Sequence, residues 1–196
     1  DRCGIFTYNS KPLPASNECF VGYNIDNDAL GLYLGYGFID TSTAIVRSIP
    51  LHIDIDGIGR INVSRRVATH VSPDNIPPEV KDLAYYFPHI KRVNTNTLEL
   101  SHLMVPPENA PFALRRILAI LIRTLAPSVD NHRLLNLVYQ AESQILQQHN
   151  NFSTQLEILP DIEPEGNISS QATETLLLLT RTQKEKLVSY QERLLD

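Results

Sequence analysis

The chain has 196 residues, of which 42% are hydrophobic and 20% charged, and it carries a formal net charge of −5. This composition is typical of a globular protein, and the acidic balance argues against nucleic acid as a partner, because nucleic-acid binding needs a basic face. The longest apolar run, residues 117–122, falls far short of the roughly 18 residues that a membrane-spanning helix needs, so we expect no membrane partner either.

The two cysteines, Cys3 and Cys19, are too few for a structural zinc site or a disulfide scaffold. We expect free thiols in a reducing compartment, and a single disulfide between the two is the alternative. The chain begins at Asp1 without a secretory hydrophobic segment. Together these features favour an intracellular protein of the cytoplasm or the nucleus.

The first forty residues are predicted to form short strands and turns around one short helix. Tyr23 ends a candidate strand. Residues 29–34 predict one or two helical turns, since Leu30 and Leu34 are four apart and share a face. Gly35 and Gly37 then allow the chain to turn sharply and to approach a neighbouring backbone or ligand closely.

A β-ribbon is predicted after this helix. Residues 51–56 alternate apolar and polar side chains, which is the period of a half-buried strand. Residues 57–59 supply a glycine-rich turn, and residues 60–63 are predicted to return as the partner strand.

Three potential metal ligands, His52, Asp54 and Asp56, lie on the polar face of this ribbon. We interpret them as a solvated strand face, because a metal site needs ligands held in a preorganised pocket with outer-shell support. The sequence therefore predicts no metal site.

The pattern changes to helices from about Ser64 onward. Residues 110–125 predict the clearest helix, because their apolar positions recur at steps of three and four residues until Pro127 stops the pattern. A second long helix is predicted to be capped by Asp130 or Asn131.

This second helix is predicted to end near His149. Residues 150–167 are polar and broken by Pro160 and Pro164, so we expect a connector with at most one helical turn. Residues 169–195 predict a third long helix with capping chemistry at its start. The predicted fold class is therefore α+β, with a β-rich part followed by an all-α helical bundle.

Residues 18–40 resemble the end of a SET domain of the type found in Rubisco large-subunit methyltransferase and the actin-histidine methyltransferase. In that family a Gly-Glu pair leads into a strand that ends in a catalytic tyrosine, and a helix follows before a Tyr-Gly-Phe triplet. Tyr23 falls at the catalytic tyrosine. Tyr36, Gly37 and Phe38 fall on the triplet, with the spacing of the family kept without a gap.

The sequence departs from this family pattern at several positions. Asn17 precedes Glu18 where the family has glycine, and Asn24 follows the expected catalytic tyrosine where glycine or aspartate is usual. Residues 27–30 read Asn-Asp-Ala-Leu in place of Ser-Asn-Ala-Glu. These departures bear on the cofactor contacts more than on the alignment itself.

The second half resembles the helical substrate-binding domain that follows SET in the same family. Residues 98–102, with a Pro-Pro pair soon after them, precede a long helix, as in the family. Residues 152–157 resemble the family's Thr-rich acidic connector. Residues 176–187 resemble its final helix, with Gln183 in place of a glycine.

The resemblance implies two domains, the C-terminal part of a SET domain over residues 1–63 and a substrate-binding helical domain over residues 64–196. It implies an enzyme that transfers a methyl group from S-adenosyl-L-methionine to a lysine or histidine of a protein substrate. Tyr23 takes the catalytic role, Tyr36 lines the channel of the substrate side chain, and Phe38 packs near the adenine of the cofactor. An ordinary core position is the alternative for all three aromatic residues. The Asn-His motif that contributes to the cofactor site in this family is expected just before residue 1.

Two other groups have simpler interpretations. Residues 85–87, Tyr-Tyr-Phe, form an aromatic cluster that we expect in the core, with contact to a peptide substrate as the alternative. Arg115, Arg116 and Arg123 are interpreted as the solvated face and rim of a core helix.

A second functional hypothesis belongs to a different class. In it the chain is a non-catalytic protein-binding module, a degenerate or truncated SET remnant whose helical part docks a protein partner. The altered residues 27–30 favour this alternative. The sequence leaves open the substrate protein, lysine versus histidine, the degree of methylation and the oligomeric state.

Overall fold

The computed structural model describes residues 29–41, 46–64, 76–84, 86–105, 112–158 and 170–193. Tyr23, both cysteines, Tyr85 and residues 65–75, where the change to helices was expected, fall outside the described residues.

Within these ranges one short helix comes first, short strands and a 3₁₀ helix follow, and three longer helices come last. The helices are α1 (Ala29–Tyr36), α2 (Ala113–Leu125), α3 (Asn131–Ile158) and α4 (Ser170–Arg193), with one 3₁₀ helix (Pro78–Leu83). The strands are β1 (Val46–Arg47), β2 (Leu51–Ile55), β3 (Gly59–Val63), β4 (Ile90–Asn94), β5 (Thr97–Leu100) and β6 (Met104–Val105). The predicted α+β class is thereby confirmed.

The larger sheet has four strands in the order β2-β3-β5-β4. Strands β2 and β3 pair in antiparallel register as the predicted ribbon, and Gly57 supplies the positive φ of their turn, +66°. Strand β5 then joins β3 in parallel, while β4 pairs antiparallel with β5. A separate small pair joins β1 to β6.

Close backbone packing at Gly59 explains why a glycine begins β3. A Cβ atom at this position would lie 2.1 Å from the carbonyl oxygen of Asn96 in the β4–β5 turn. The same carbonyl accepts a hydrogen bond from the Arg60 N–H at 2.8 Å. A side chain at residue 59 would therefore push the β4–β5 hairpin away from β3.

Helix α3 covers the outer edge of the sheet by hydrogen bonding to strand β2. The Gln144 side chain accepts from the Asp54 N–H and donates to the Asp54 carbonyl, both at 2.9 Å. The Gln148 side chain contacts His52 in the same two-point way, at 3.4 and 2.7 Å. These two amides occupy main-chain groups that an edge strand otherwise leaves open to pairing with another chain.

One apolar core runs through both parts of the described chain. The inward side chains of β2, β3 and β5 pack with the buried faces of α2 and α3. The stripe predicted on α2 is buried as expected at Leu114, Ile117, Leu118, Leu121 and Ile122. No helix in the described ranges is long and apolar enough to cross a membrane.

Two expectations for the second half were wrong. Residues 90–105 lie after Ser64 and were expected in an all-α part, but they contain β4, β5 and β6. The reason is local, since residues 97–100 alternate and bury only Leu98 and Leu100 fully, which is the pattern of a strand.

Helix α3 also continues nine residues beyond the expected end at His149, to Ile158. No glycine or proline interrupts the chain between these positions, so nothing stops the helix although its sequence is polar. Pairing of β3 with β5 crosses the expected boundary between residues 63 and 64. The division into two domains at that point stays a prediction.

Candidate functional site

The predicted aromatic pair lies at the C-terminal end of α1. Tyr36 is the last residue of the helix, and Gly37, with φ of +80°, reverses the chain while its N–H donates to the Tyr33 carbonyl at 2.9 Å. The rings of Tyr36 and Phe38 lie with centroids 6.2 Å apart and planes tilted by 35°. Both side chains are exposed, Tyr36 by 57% and Phe38 by 38%. The structure thus brings these two predicted residues together as an accessible aromatic surface.

The polar face of the β2–β3 ribbon is solvated, as interpreted from the sequence. Asp54 pairs with the exposed Arg60 at 2.6 Å, and this hydrogen bond lowers the pKa of the Asp54 carboxyl. His52 and Asp56 are exposed. In the described part of the chain, no group of three or more His, Cys, Asp or Glu side chains could hold a metal ion.

A buried polar cluster joins helices α2, α3 and α4. The Nε atom of Arg115 donates to both carboxylate oxygens of Glu142, at 3.1 and 2.9 Å. The Tyr190 hydroxyl of α4 donates to Glu142 Oε1 at 2.7 Å. The Arg115 guanidinium also lies over the ring of Tyr139, 4.7 Å from its centroid.

The three arginines of α2 were expected to be solvated, and this cluster shows that the expectation was wrong for Arg115. Arg115 is largely buried, with 18% of its side chain exposed, because it neutralises the Glu142 carboxylate. Arg116 and Arg123 are exposed, as expected, and contact Asp82 and Asn131. Glu142 lies next to the apolar stripe of α3 in the sequence, and this position was a signal that its charge is buried and paired. The local pattern does not show that Arg115 is its partner.

The cluster forms the floor of a groove between the three helices, which we call the α3 groove. Its volume is about 860 Å³. The residues that matter for its chemistry are Arg115, Tyr139, Ser143, Gln147, Asn151 and Gln191. Because arginine and glutamate neutralise each other, the groove presents amide and hydroxyl groups without a net charge.

Two buried histidines lie outside these sites. Burial lowers the pKa of His149, on α3, to about 4. Burial and the nearby Arg47 charge lower the pKa of His102 to about 4 as well. His102 Nδ1 exchanges a hydrogen bond of 2.8 Å with the Ser101 hydroxyl, which also accepts the His89 N–H at 3.0 Å. Among the described residues, the Nε2 atoms of His102 and His149 have no hydrogen-bond partner. With a pKa of about 4, both rings are neutral at pH 7.

The aromatic cluster expected at residues 85–87 is described in part. Phe87 is buried in the apolar core, and Tyr86 packs against that core. Both positions agree with the core interpretation rather than with an open peptide contact.

The structure therefore assembles Tyr36 and Phe38 and leaves Tyr23 outside the described residues. It adds the α3 groove, which sequence reasoning missed because its lining comes from three helices far apart in the chain. Neither family models nor curated proteins nor solved structures show a match to this chain. The residues themselves and their geometry carry the functional argument.

Proposed function

We propose that the chain belongs to a SET-type protein methyltransferase, which transfers a methyl group from S-adenosyl-L-methionine to a lysine or histidine of a protein substrate. The spacing from Tyr23 to the Tyr36-Gly37-Phe38 triplet carries this proposal. In it, residues 1–63 correspond to the C-terminal part of a SET domain. The helical part that ends in α2, α3 and α4 corresponds to the substrate-binding domain.

The geometry of the aromatic pair supports this proposal. Helix α1 follows the candidate catalytic tyrosine in the chain and ends at Tyr36, the first residue of the triplet. The left-handed conformation of Gly37 then sets Phe38 beside Tyr36. Two adjacent accessible rings can form one wall of a cleft in which a substrate side chain meets a cofactor. Their exposure is consistent with a surface that binds rather than one that only fills the core.

Methyl transfer requires the residue types proposed for this cleft. The reaction is an in-line displacement in which an uncharged nitrogen attacks the methyl carbon while the bond from that carbon to the sulfonium sulfur breaks. A lysine ammonium must therefore lose a proton before the attack. The enzyme contributes mainly by holding nucleophile, methyl group and sulfur in line and by excluding water.

Each aromatic residue has a distinct role in this mechanism. The Tyr23 hydroxyl orients the attacking nitrogen through a hydrogen bond. The Tyr36 ring walls the channel of the substrate side chain, which keeps the uncharged nitrogen away from bulk water. Phe38 packs near the adenine ring of the cofactor.

The test is transfer of a labelled methyl group from S-adenosyl-L-methionine to proteins of a cell lysate, with the full-length protein beside its Tyr23→Phe variant. We expect labelled protein bands that the variant loses by a factor of about 100 or more, because misplacing the attacking nitrogen by about 1 Å costs a factor of that size. Circular dichroism must show the same fold for both proteins. Undiminished labelling by the folded variant would refute the role of Tyr23.

A non-catalytic protein-binding module is the second candidate, because the α3 groove is a concave surface remote in sequence from the aromatic pair. The two candidates differ in cofactor binding. Calorimetric titration with S-adenosyl-L-methionine gives measurable heat and a single site if the enzyme hypothesis holds. A folded full-length protein that neither binds the cofactor nor labels any protein favours the module.

A further inference from the structure

Helix α3 already binds an extended chain through side-chain amides, at strand β2. Gln144 and Gln148 each contact the N–H and the carbonyl of one strand residue, Asp54 and His52 respectively. The contacted strand residues alternate, and the intervening Ile53 points into the core. A glutamine amide carries one acceptor and two donor hydrogens, so it can satisfy both main-chain groups of a residue at once.

Helix and strand geometry explain why this spacing works. Four residues of an α-helix advance about 6 Å along its axis. Two residues of a strand advance about 6.8 Å. Side-chain amides four apart on a helix therefore meet every second residue of an extended chain that runs beside it.

The neighbouring row of α3 repeats this spacing with an open groove in place of a strand. Ser143, Gln147 and Asn151 are four residues apart and line the α3 groove, and Gln191 of α4 faces them from the other side. Ser143, Gln147 and Asn151 are exposed, and in the described ranges the structure gives their side chains no hydrogen-bond partner. Tyr139 begins the same row, with 45% of its surface exposed.

The lack of a net charge in the groove indicates which kind of ligand fits it. The Arg115 and Glu142 charges offset each other, and the Tyr190 hydroxyl completes the pair. What remains for a ligand is a set of uncharged amide and hydroxyl groups, together with the guanidinium of Arg115, which lies over the ring of Tyr139 and whose charge Glu142 offsets. Main-chain amides of an extended polypeptide match this set, whereas a phosphate or a basic side chain would need a charge that the groove does not offer.

We propose that the α3 groove binds an extended polypeptide segment of a partner protein through its main chain. Gln147 and Asn151 contact alternate residues of that segment, as Gln148 and Gln144 contact His52 and Asp54. An apolar side chain of the segment packs beside Tyr139. The proposal is independent of methyl transfer, since it holds for an enzyme and for a binding module alike.

The experiment selects peptides and then removes the proposed contacts one side at a time. The full-length protein is used to select binders from a phage-displayed library of random 12-residue peptides. Dissociation constants of synthetic versions are measured by fluorescence anisotropy. The protein variant is Gln147→Ala with Asn151→Ala. The matched control is Asn136→Ala with Gln140→Ala, which alters two exposed amides of α3 that are four residues apart and outside the groove.

The peptide is varied in parallel. Selected peptides are resynthesised with N-methyl groups on alternate residues, which removes main-chain N–H donors without changing any side chain. Methylation of the residues in one alternating set is expected to weaken binding about tenfold or more, and methylation of the other set much less. The groove variant is expected to weaken binding by about tenfold, as the loss of several hydrogen bonds implies, and the control variant by less than twofold.

Three results would overturn the proposal. One is that no peptide is selected. Another is that selected peptides bind the groove variant as well as they bind the unaltered protein. The third is that the groove variant changes self-association in analytical ultracentrifugation while no selected peptide competes, which would assign the groove to a second copy of this chain.

Discussion

Two regions of the interior hold their helices in different ways. Helix α2 and the four-stranded sheet meet through apolar side chains such as Ile117, Ile61 and Leu98, which are fully buried. The region of α3 and α4 adds buried polar groups, among them Glu142 and His149. Apolar burial stabilises at any pH and needs no particular partner. A buried polar group stabilises only while its partners and its protonation state are right.

This contrast predicts how substitutions in each region affect the stability of the protein. Changes around α2 are expected to act through lost volume, whereas changes between α3 and α4 act through unpaired groups and through pH. The α3 groove lies directly over the polar region. Binding there can therefore depend on the same buried charge pair that holds α4 in place.

The largest effect is expected from a cavity in the apolar region. Ile117→Ala removes a fully buried side chain, and it should lower the free energy of unfolding by about 4 kcal/mol because both transfer energy and cavity are lost. Urea unfolding measured by circular dichroism tests this. Leu135→Ala, at a half-exposed position of α3, is the control and should cost less than about 1 kcal/mol. Equal losses in the two variants would contradict the position of the core.

A somewhat smaller loss is expected from breaking the buried ion pair. Arg115→Met keeps most of the side-chain volume but leaves the Glu142 carboxylate buried without its cation, which should cost about 3 kcal/mol at pH 7.

The adjacent arginine offers a matched control for this change. Arg116→Met breaks an exposed pair with Asp82 and should cost about 1 kcal/mol or less. Stability is measured by urea unfolding at pH 7. Similar losses for the two variants would mean that burial makes no difference to these ion pairs, and the contrast between the two regions would fail.

The smallest effect for a single residue is the pH dependence that each buried histidine contributes. The pKa values of His102 and His149 are lowered in the fold to about 4, so the unfolded chain binds more protons between pH 4 and the unfolded pKa of 6.5. Stability is therefore full above pH 6.5 and falls as the pH drops towards 4. The loss between pH 7 and pH 5 should be roughly 2 kcal/mol for each histidine.

Substituting one histidine separates its contribution to the pH dependence of stability from that of the other. His149→Gln should remove about half of this pH-dependent loss, as measured by urea unfolding at pH 7 and pH 5. Ser153→Ala, which removes a buried polar group of α3 that does not titrate, should keep the full loss. A variant lacking His149 that loses as much stability as the unaltered protein would show that this ring titrates normally in the fold.

Local patterns were sufficient for several elements. The spacing of apolar residues predicted α2, and alternation with a glycine-rich turn predicted the β2–β3 ribbon, because both signals arise within a few neighbouring residues. Gly37 predicted a sharp turn after the short helix, and its positive φ makes that turn. Amino-acid order alone was enough for each of these.

Other features required the folded chain. The parallel pairing of β3 with β5 joins segments separated by more than thirty residues, and its register depends on how both strands bury the same faces. The long polar end of α3 was expected to be a connector. The absence of a breaking residue permits a helix there, but only the folded chain shows that the helix continues to Ile158. The pairing of Arg115 with Glu142 and Tyr190 unites three helices. Such contacts are decided by tertiary packing, because a residue's local pattern states that it is charged or buried but not which distant group will neutralise it.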